Sequence, residues 1–466
     1  MDLNYHKKRT SYILKNLEPI IKKANIEKLQ KVEPYRNNVN KAIKVIEDFI
    51  YEKGRIIYGG LALNEFIKLQ NKNDAIYEED SLQIPDYDIY TPEPINDLIY
   101  ICNKLFNLGF TDVYGRSAVH NDTYTINLDS INSSIIDLHY VWKQQYNLIP
   151  KKKIGKFFYT DPEFMYIDIY KIYTDPLLSW DFRLEKSFKR GSLLEYHYPI
   201  TKPQTKFNPD SYTIKDSIRI DIIKYLIKSY LINNQNIIMI NEFVYNYFMK
   251  KCNSNYKINI SHIEILTSNI QTTYDNILEL LYLKYKKDLI TKKYYHQFFE
   301  LFDNSVEIYY DSKLIIKIYK NLNRCVPYIT VNIDTNPKDN INLISFHGLL
   351  LHYYSYLFYY KCHNNYDEYI FTKHLIYNLI SEREKYLKKN NLTGIEKSIF
   401  KELIIDCKYK TVDARILNNI AIQQRLKDKK PPIFQYKPRQ RILNKAPDFK
   451  FSNSSGNEIN IKKNEN

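Results

Sequence analysis

Ile57-Tyr58-Gly59-Gly60-Leu61-Ala62-Leu63-Asn64, followed by Ile84-Pro85-Asp86-Tyr87-Asp88-Ile89-Tyr90, is the stretch on which the fold turns. Arg55 to Gly60 reads as a brief apolar strand entering two glycines, and Leu61 to Leu69 carries apolar residues at helical spacing. That is strand, glycine turn, helix. Glycine lets the backbone approach a ligand with no Cβ in the way, and the free N–H groups of a helix start favour phosphate. Only 10 glycines occur in 466 residues, so a pair at this junction stands out, although an ordinary tight turn has the same composition.

Side chains alternate along a strand, so Asp86 and Asp88 share one face while Tyr87 and Ile89 share the other. Two carboxylates held that close repel unless a cation lies between them. A hard divalent ion such as Mg²⁺ suits such oxygens and leaves room for substrate phosphates. The competing reading is a solvated strand edge. A third carboxylate on a neighbouring strand would complete a metal-holding triad, and two acids qualify: Asp137, in the mostly apolar run from Ser134 to Trp142, and Asp168, in Tyr166-Ile167-Asp168-Ile169-Tyr170. Asp137 is preferred because the alternation over residues 122–134 suggests a hairpin, hence adjacent strands.

Composition bounds the partner. With 44% hydrophobic and 15% aromatic residues, the chain is a folded protein long enough for two or three domains. Its 45 tyrosines accompany many Ile, Asn and Lys, all with AT-rich codons, so tyrosine abundance alone is poor evidence for base stacking. A net charge of +15 points to a polyanion, either nucleic acid or membrane headgroups. No apolar run is long enough to span a bilayer and the first nine residues lack a signal-peptide core, so no membrane association is expected. Cys102, Cys252, Cys325, Cys362 and Cys407 show no paired spacing, from which a reducing, intracellular setting without a zinc site is expected.

Along the chain, residues 1–53 are expected to be helical, with Ile13, Leu14 and Leu17, then Ala42, Ile46, Phe49 and Ile50, packing on the sheet that holds the Asp-x-Asp strand. That unit runs over 54–199, and Pro199, Pro203 and Pro209 mark an exposed connection. Amphipathic helices are expected over 211–302. A second αβ unit follows over 303–424, with a hairpin around Asp311-Ser312-Lys313 and a strand leading through His347-Gly348 into a helix. This repeats the cadence of residues 55–69, with no Asp-x-Asp after it. Residues 425–466 read as a basic tail, disordered at its end. There Lys429, Lys430, Arg439 and Arg441, interleaved with Phe434 and Tyr436, suit single-stranded RNA, as do Lys151, Lys152 and Lys153; a tail attracting any polyanion fits equally. On a helix Arg183, Lys186 and Arg190 form one basic stripe, which suits a triphosphate or a solvated face.

The order strand, Gly-Gly, helix, hydrophobic-Asp-x-Asp-hydrophobic, then a strand with a single Asp resembles the nucleotidyltransferase superfamily headed by DNA polymerase beta. Within it, residues 57–64 and 84–90 resemble the poly(A) polymerase catalytic subunits of poxviruses and giant cytoplasmic DNA viruses, most closely the mimivirus-like members. The motifs span residues 55–190. The gap between Gly60 and Asp86 is longer than usual, making 71–85 an acidic loop, and Gly60 stands where the superfamily commonly has serine.

The resemblance implies an α+β fold: a mixed nucleotidyltransferase sheet flanked by helices, a helical region, and a second, degenerate nucleotidyltransferase-like domain. It implies template-independent transfer of AMP from ATP to an RNA 3′-hydroxyl with release of pyrophosphate. Asp86, Asp88 and Asp137 would be the catalytic, metal-binding carboxylates for two Mg²⁺ or Mn²⁺ ions, and Gly59, Gly60, Arg183, Lys186 and Arg190 would bind the nucleotide. Implied partners are ATP and an RNA 3′ end, with a homodimer or a separate processivity subunit both compatible; the implied location is the virion and the viral factory in host cytoplasm. The rival functions are a terminal uridylyltransferase or other nucleotidyltransferase, and a non-catalytic RNA-binding virion protein.

Overall fold

Strand β1 (Ile56–Tyr58) and the helix Gly59–Gln70 realise the strand, glycine, helix unit, and β1 lies inside a mixed sheet. The structure is a computed structural model that describes residues 3–31, 36–77, 87–118, 122–129, 133–207, 209, 216–296, 298, 303–321, 324–333, 338–411, 414–429 and 434–438. These fall into two units, the first formed by the described residues within 1–146, 151–159 and 425–438, the second by those within 147–150 and 160–424.

The first sheet adds β2 (Tyr87–Thr91), β3 (Val113–Ser117), β4 (Thr123–Leu128), β5 (Ser133–Tyr140), β6 (Lys151–Ile154) and β7 (Phe157–Thr160), in the order β3-β4-β5-β2-β1-β7-β6. β2 runs antiparallel to β1 and parallel to β5, while β3, β4 and β5 form an antiparallel meander. Alternation buries Tyr87, Ile89, Ile136 and Leu138 on one face. The helices Arg36–Lys53 and Pro94–Asn107 belong to this unit. Ala42, Ile46, Phe49 and Ile50 are buried at helical spacing, as are Leu98, Ile101, Cys102 and Leu105. The helix Leu3–Lys15 differs from expectation, because Ile13 and Leu14 face solvent rather than the sheet.

The second sheet consists of β8 (Ile237–Ile240), β9 (Ile263–Thr267), β10 (Ile290–Tyr295), β11 (Ser305–Tyr310), β12 (Lys313–Lys320), β13 (Val326–Asn332), β14 (Asn340–Ile344) and β15 (Cys407–Lys408). Its order, β10-β11-β12-β9-β8-β14-β13-β15, reproduces the first seven strands with each number raised by seven, and β15 is added outside β13. The strand senses repeat as well: β8 is antiparallel to β9 and parallel to β14, and β9 is parallel to β12.

Two expectations are corrected here. Residues 211–302 are not only helical, since β8, β9 and β10 arise from them; a four-residue apolar run such as Ile237-Ile238-Met239-Ile240 has no period by which to tell a buried strand from a helix. Cys325 and Cys407 form a disulfide, with Cα atoms 5.3 Å apart and a sequence separation of 82, at the pairing of β13 with β15. A final strand, β16 (Gln435–Tyr436), returns to the first sheet and covers the edge of β3.

Candidate active site

Asp88 and Asp137 are register partners on the parallel strands β2 and β5. Directly paired residues project to the same face, so the two carboxylates lie on adjacent strands, about 4.8 Å apart at the backbone. Asp88 is also the partner of Tyr58, the last residue of β1, which places it beside the glycine turn. Gly59 has φ +70°, and an ideal Cβ built on it would stand 2.8 Å from Asp88 Oδ2. Glycine is required here for two separate reasons: the left-handed backbone, and the space that the carboxylate fills. Gly60 has no positive φ and continues the buried face of the helix.

Asp137 is held from its own strand. Ser134 Oγ donates to Asp137 Oδ1 at 3.1 Å and lies 2.6 Å from Thr125 Oγ1, on the strand opposite. Beside the acids, Tyr58 and Tyr90 stack at 4.0 Å between ring centroids, and His139 meets both edge-on at 6.2 and 5.6 Å. Thr123 Oγ1 lies 3.0 Å from His139 Nδ1. Sequence reasoning missed this aromatic floor, although the signal was present: Tyr90 and His139 follow Asp88 and Asp137 by two residues, and so share their face.

At the opposite end of β1 and β2, Arg55 makes a bidentate pair with Asp97, Nε and Nη2 each 2.8 Å from a carboxylate oxygen, and Thr91 Oγ1 donates to the same carboxylate. Arg55 and Asp97 are both buried, so this cluster ties the Pro94–Asn107 helix to the two strands that carry the turn and Asp88. Asn64 pins the segment after its helix: its Oδ1 accepts the N–H groups of Ile76 and Tyr77 at 2.8 and 2.9 Å.

Asp86 itself lies outside the described residues, as do Lys430, Arg439 and Arg441. Among the described residues no three acidic, histidine or cysteine side chains converge as a metal cluster. The two described carboxylates nonetheless offer the hard, anionic oxygens that Mg²⁺ or Mn²⁺ takes. Asp168 sits on the helix Pro162–Tyr173, whereas the strands bonded to β2 are β1 and β5, so Asp137 alone of the two candidates adjoins Asp88 in the sheet. Lys151, Lys152 and Lys153 are exposed on β6 at the sheet edge, although the Lys151 Nζ, 5.5 Å from the Tyr146 ring, is partly desolvated, which lowers its pKa. Arg183, Lys186 and Arg190 share the helix Trp180–His197 of the second unit. Lys429 is exposed. The rings expected to stack on bases beside it are engaged elsewhere: Phe434 packs edge-on against Tyr124, and Tyr436 donates to Asn103 at 2.6 Å.

The second sheet shows what becomes of the same positions. The pair Tyr58 and Asp88 corresponds by strand order to Ile240 and Glu264, and the pair Asp88 and Asp137 to Glu264 and Lys317. Asn241, φ +61°, takes the place of Gly59. Glu264 is buried and receives hydrogen bonds from Asn241, from His262 Nε2 at 2.8 Å, from His352 Nε2 at 3.1 Å and from Tyr356. Burial alone would raise its pKa, but the bonds from His262 and His352 hold it well below the usual carboxylate range. Where the third acid would stand there is a lysine, Lys317, paired with Glu307 at 3.1 Å.

Comparison with known proteins agrees along the whole chain. Residues 44–179 match the family model "Poly(A) polymerase catalytic subunit", and residues 195–465 match "APMV, Putative poly(A) polymerase, catalytic subunit, C-terminal". A protein of Acanthamoeba polyphaga mimivirus, described as a "putative poly(A) polymerase catalytic subunit", is 28% identical over 493 residues, covering 97% of this chain and 82% of its own length. An African swine fever virus protein of the same description is 27% identical over 176 residues, covering 37% of this chain and 36% of its own length. The crystal structure of the Megavirus polyadenylate synthase superposes with a TM-score of 0.85 at 29% identity, covering 100% of this chain and 93% of that one.

Proposed function

This chain belongs to the poly(A) polymerase catalytic subunit family, and from that premise we propose that it is a polynucleotide adenylyltransferase working through Asp88 and Asp137, with Asp86 as the third carboxylate. It adds AMP from ATP to an RNA 3′-hydroxyl without a template and releases pyrophosphate. The observation that carries the site is the register pairing of Asp88 with Asp137 beside a glycine that must be left-handed. Asp88 and Asp137, with Asp86, would hold two Mg²⁺ or Mn²⁺ ions, which would supply positive charge to the triphosphate and lower the pKa of the attacking hydroxyl.

The protein's own groups do the positioning. Ser134, oriented by Thr125, aims the Asp137 carboxylate; the Gly59 backbone brings peptide N–H groups of the helix start toward the phosphates. Arg183, Lys186 and Arg190 are proposed as further triphosphate cations, and Lys151, Lys152, Lys153 and Lys429, with Lys430, Arg439 and Arg441, as RNA contacts. The second sheet is read as a degenerate copy that performs no chemistry, since Glu264 is already saturated with donors and Lys317 repels a divalent ion.

The test is extension of a labelled RNA with each single NTP in Mg²⁺ or Mn²⁺. AMP incorporation that Asp88→Ala and Asp137→Ala each reduce to background, with RNA affinity retained, is the expected result. Preferential UMP incorporation would overturn the adenine assignment, and extension surviving either substitution would overturn the site.

A further inference from the structure

The segment Lys284-Tyr285-Lys286-Lys287-Asp288-Leu289-Ile290-Thr291-Lys292-Lys293-Tyr294-Tyr295-His296 carries five lysines and one acid. It ends the helix Ile270–Lys284, makes one 3₁₀ turn at Lys287–Leu289 and becomes β10, which among the described residues is the outermost strand of the second sheet and is bonded to β11 alone. Every residue of Thr291 to Tyr295 is exposed, Tyr294 at 60%.

We propose that this edge is a contact surface for single-stranded RNA, an inference that rests on the adenylyltransferase reading and adds a binding track on the second unit. Four lysines stand over tyrosine rings: Lys284 Nζ is 4.5 Å from the Tyr225 centroid, Lys287 5.0 Å from Tyr282, Lys292 5.2 Å from Tyr274 and Lys293 4.9 Å from Tyr309. Alternation sends Lys292 and Tyr294 to one face and Lys293 and Tyr295 to the other, so both sides of the strand offer an ammonium next to a ring. Phosphate binding plus a sequence-tolerant aromatic surface is the combination by which proteins hold single strands. The register partner of Lys293, Glu307, is nearly buried and already paired with Lys317, so it does not cancel the patch. A second copy of the chain is the less fitting occupant, because consecutive lysines on an edge strand repel an identical edge.

The experiment uses the full chain without ATP and a fluorescent oligoadenylate, titrated at several salt concentrations. Lys292→Ala with Lys293→Ala and Tyr294→Ala should weaken binding about tenfold and lower the salt slope by about 1.4, since each lysine–phosphate pairing removed from a single strand lowers it by about 0.7. The unfolding transition should shift only by the small amount that exposed cation–π and ring contacts contribute, leaving the chain folded, and Lys292→Arg with Lys293→Arg should retain the parent slope. Parent-like affinity and slope in the triple variant overturn the inference, as does loss of self-association with RNA affinity intact, which would assign the edge to a second copy. The two readings fail separately: a parent chain that extends RNA while the triple variant binds like it removes only this surface, and a parent that extends nothing with any NTP removes the adenylyltransferase reading first.

Discussion

Replacing Gly59 by alanine isolates the contribution of the turn to the site. Two costs are legible. A side chain at φ +70° pays the left-handed penalty of about 1–2 kcal/mol. Its Cβ would also stand 2.8 Å from Asp88 Oδ2 where ordinary contact begins near 3.4 Å, so the carboxylate must retreat by roughly 0.6 Å. A misplacement of that order at a reacting centre costs on the order of 10- to 100-fold in rate, far more than the stability change suggests. Gly54 supplies the control, with φ +61° and nothing within 4 Å of its Cβ position, so Gly54→Ala carries the backbone penalty alone. The assay is initial-rate AMP incorporation into an RNA primer alongside urea unfolding of each variant. Expected is a similar loss of stability in both and a loss of rate only in Gly59→Ala. Gly59→Ala extending RNA within about twofold of the parent, or Gly54→Ala losing as much rate, would refute the claim that Gly59 makes room for the carboxylate.

Two further outcomes follow from buried charge. Asp97→Ala leaves the buried Arg55 with the longer 3.5 Å contact to the exposed Glu93 in place of its bidentate partner, and should cost about 3–5 kcal/mol in urea unfolding of the first unit; a loss below about 1 kcal/mol would show that the bidentate pair does not anchor β1 and β2. His347 is buried, beside Arg383, and hydrogen-bonded through Nδ1 to the Glu402 carbonyl at 2.8 Å, and burial first, then the guanidinium, lower its pKa from 6.5 to about 3. The folded chain therefore keeps this histidine neutral while the unfolded chain protonates it, so its stabilising contribution is complete above pH 6.5 and is lost as pH falls toward 3. The slope attributable to it approaches about 1.4 kcal/mol per pH unit, measured as the difference between the parent and His347→Gln in denaturant titrations from pH 7 to 4; parallel pH profiles would contradict this.

The local elements were legible in the sequence because short-range physics writes them. Alternation placed Asp88 opposite Tyr87 and Ile89, helical spacing marked Ala42, Ile46, Phe49 and Ile50 as a buried face, and a glycine pair marked the turn after β1. What required tertiary structure was every relation between segments distant along the chain. Asp137 and Asp168 look alike as acids in apolar runs, and only hydrogen-bonded register made one the strand neighbour of Asp88 and put the other on a helix. The short runs of β8 and β9 carry no period, so their strand identity depends on neighbours they pair with, and the repeat of the first sheet became visible only in strand order. Cys325 meets Cys407 across a sequence separation of 82, and Phe434 leaves the tail to pack on Tyr124, for the same reason. Periodicity is a property of a few consecutive residues, whereas adjacency is settled by which faces a whole chain can bury at once.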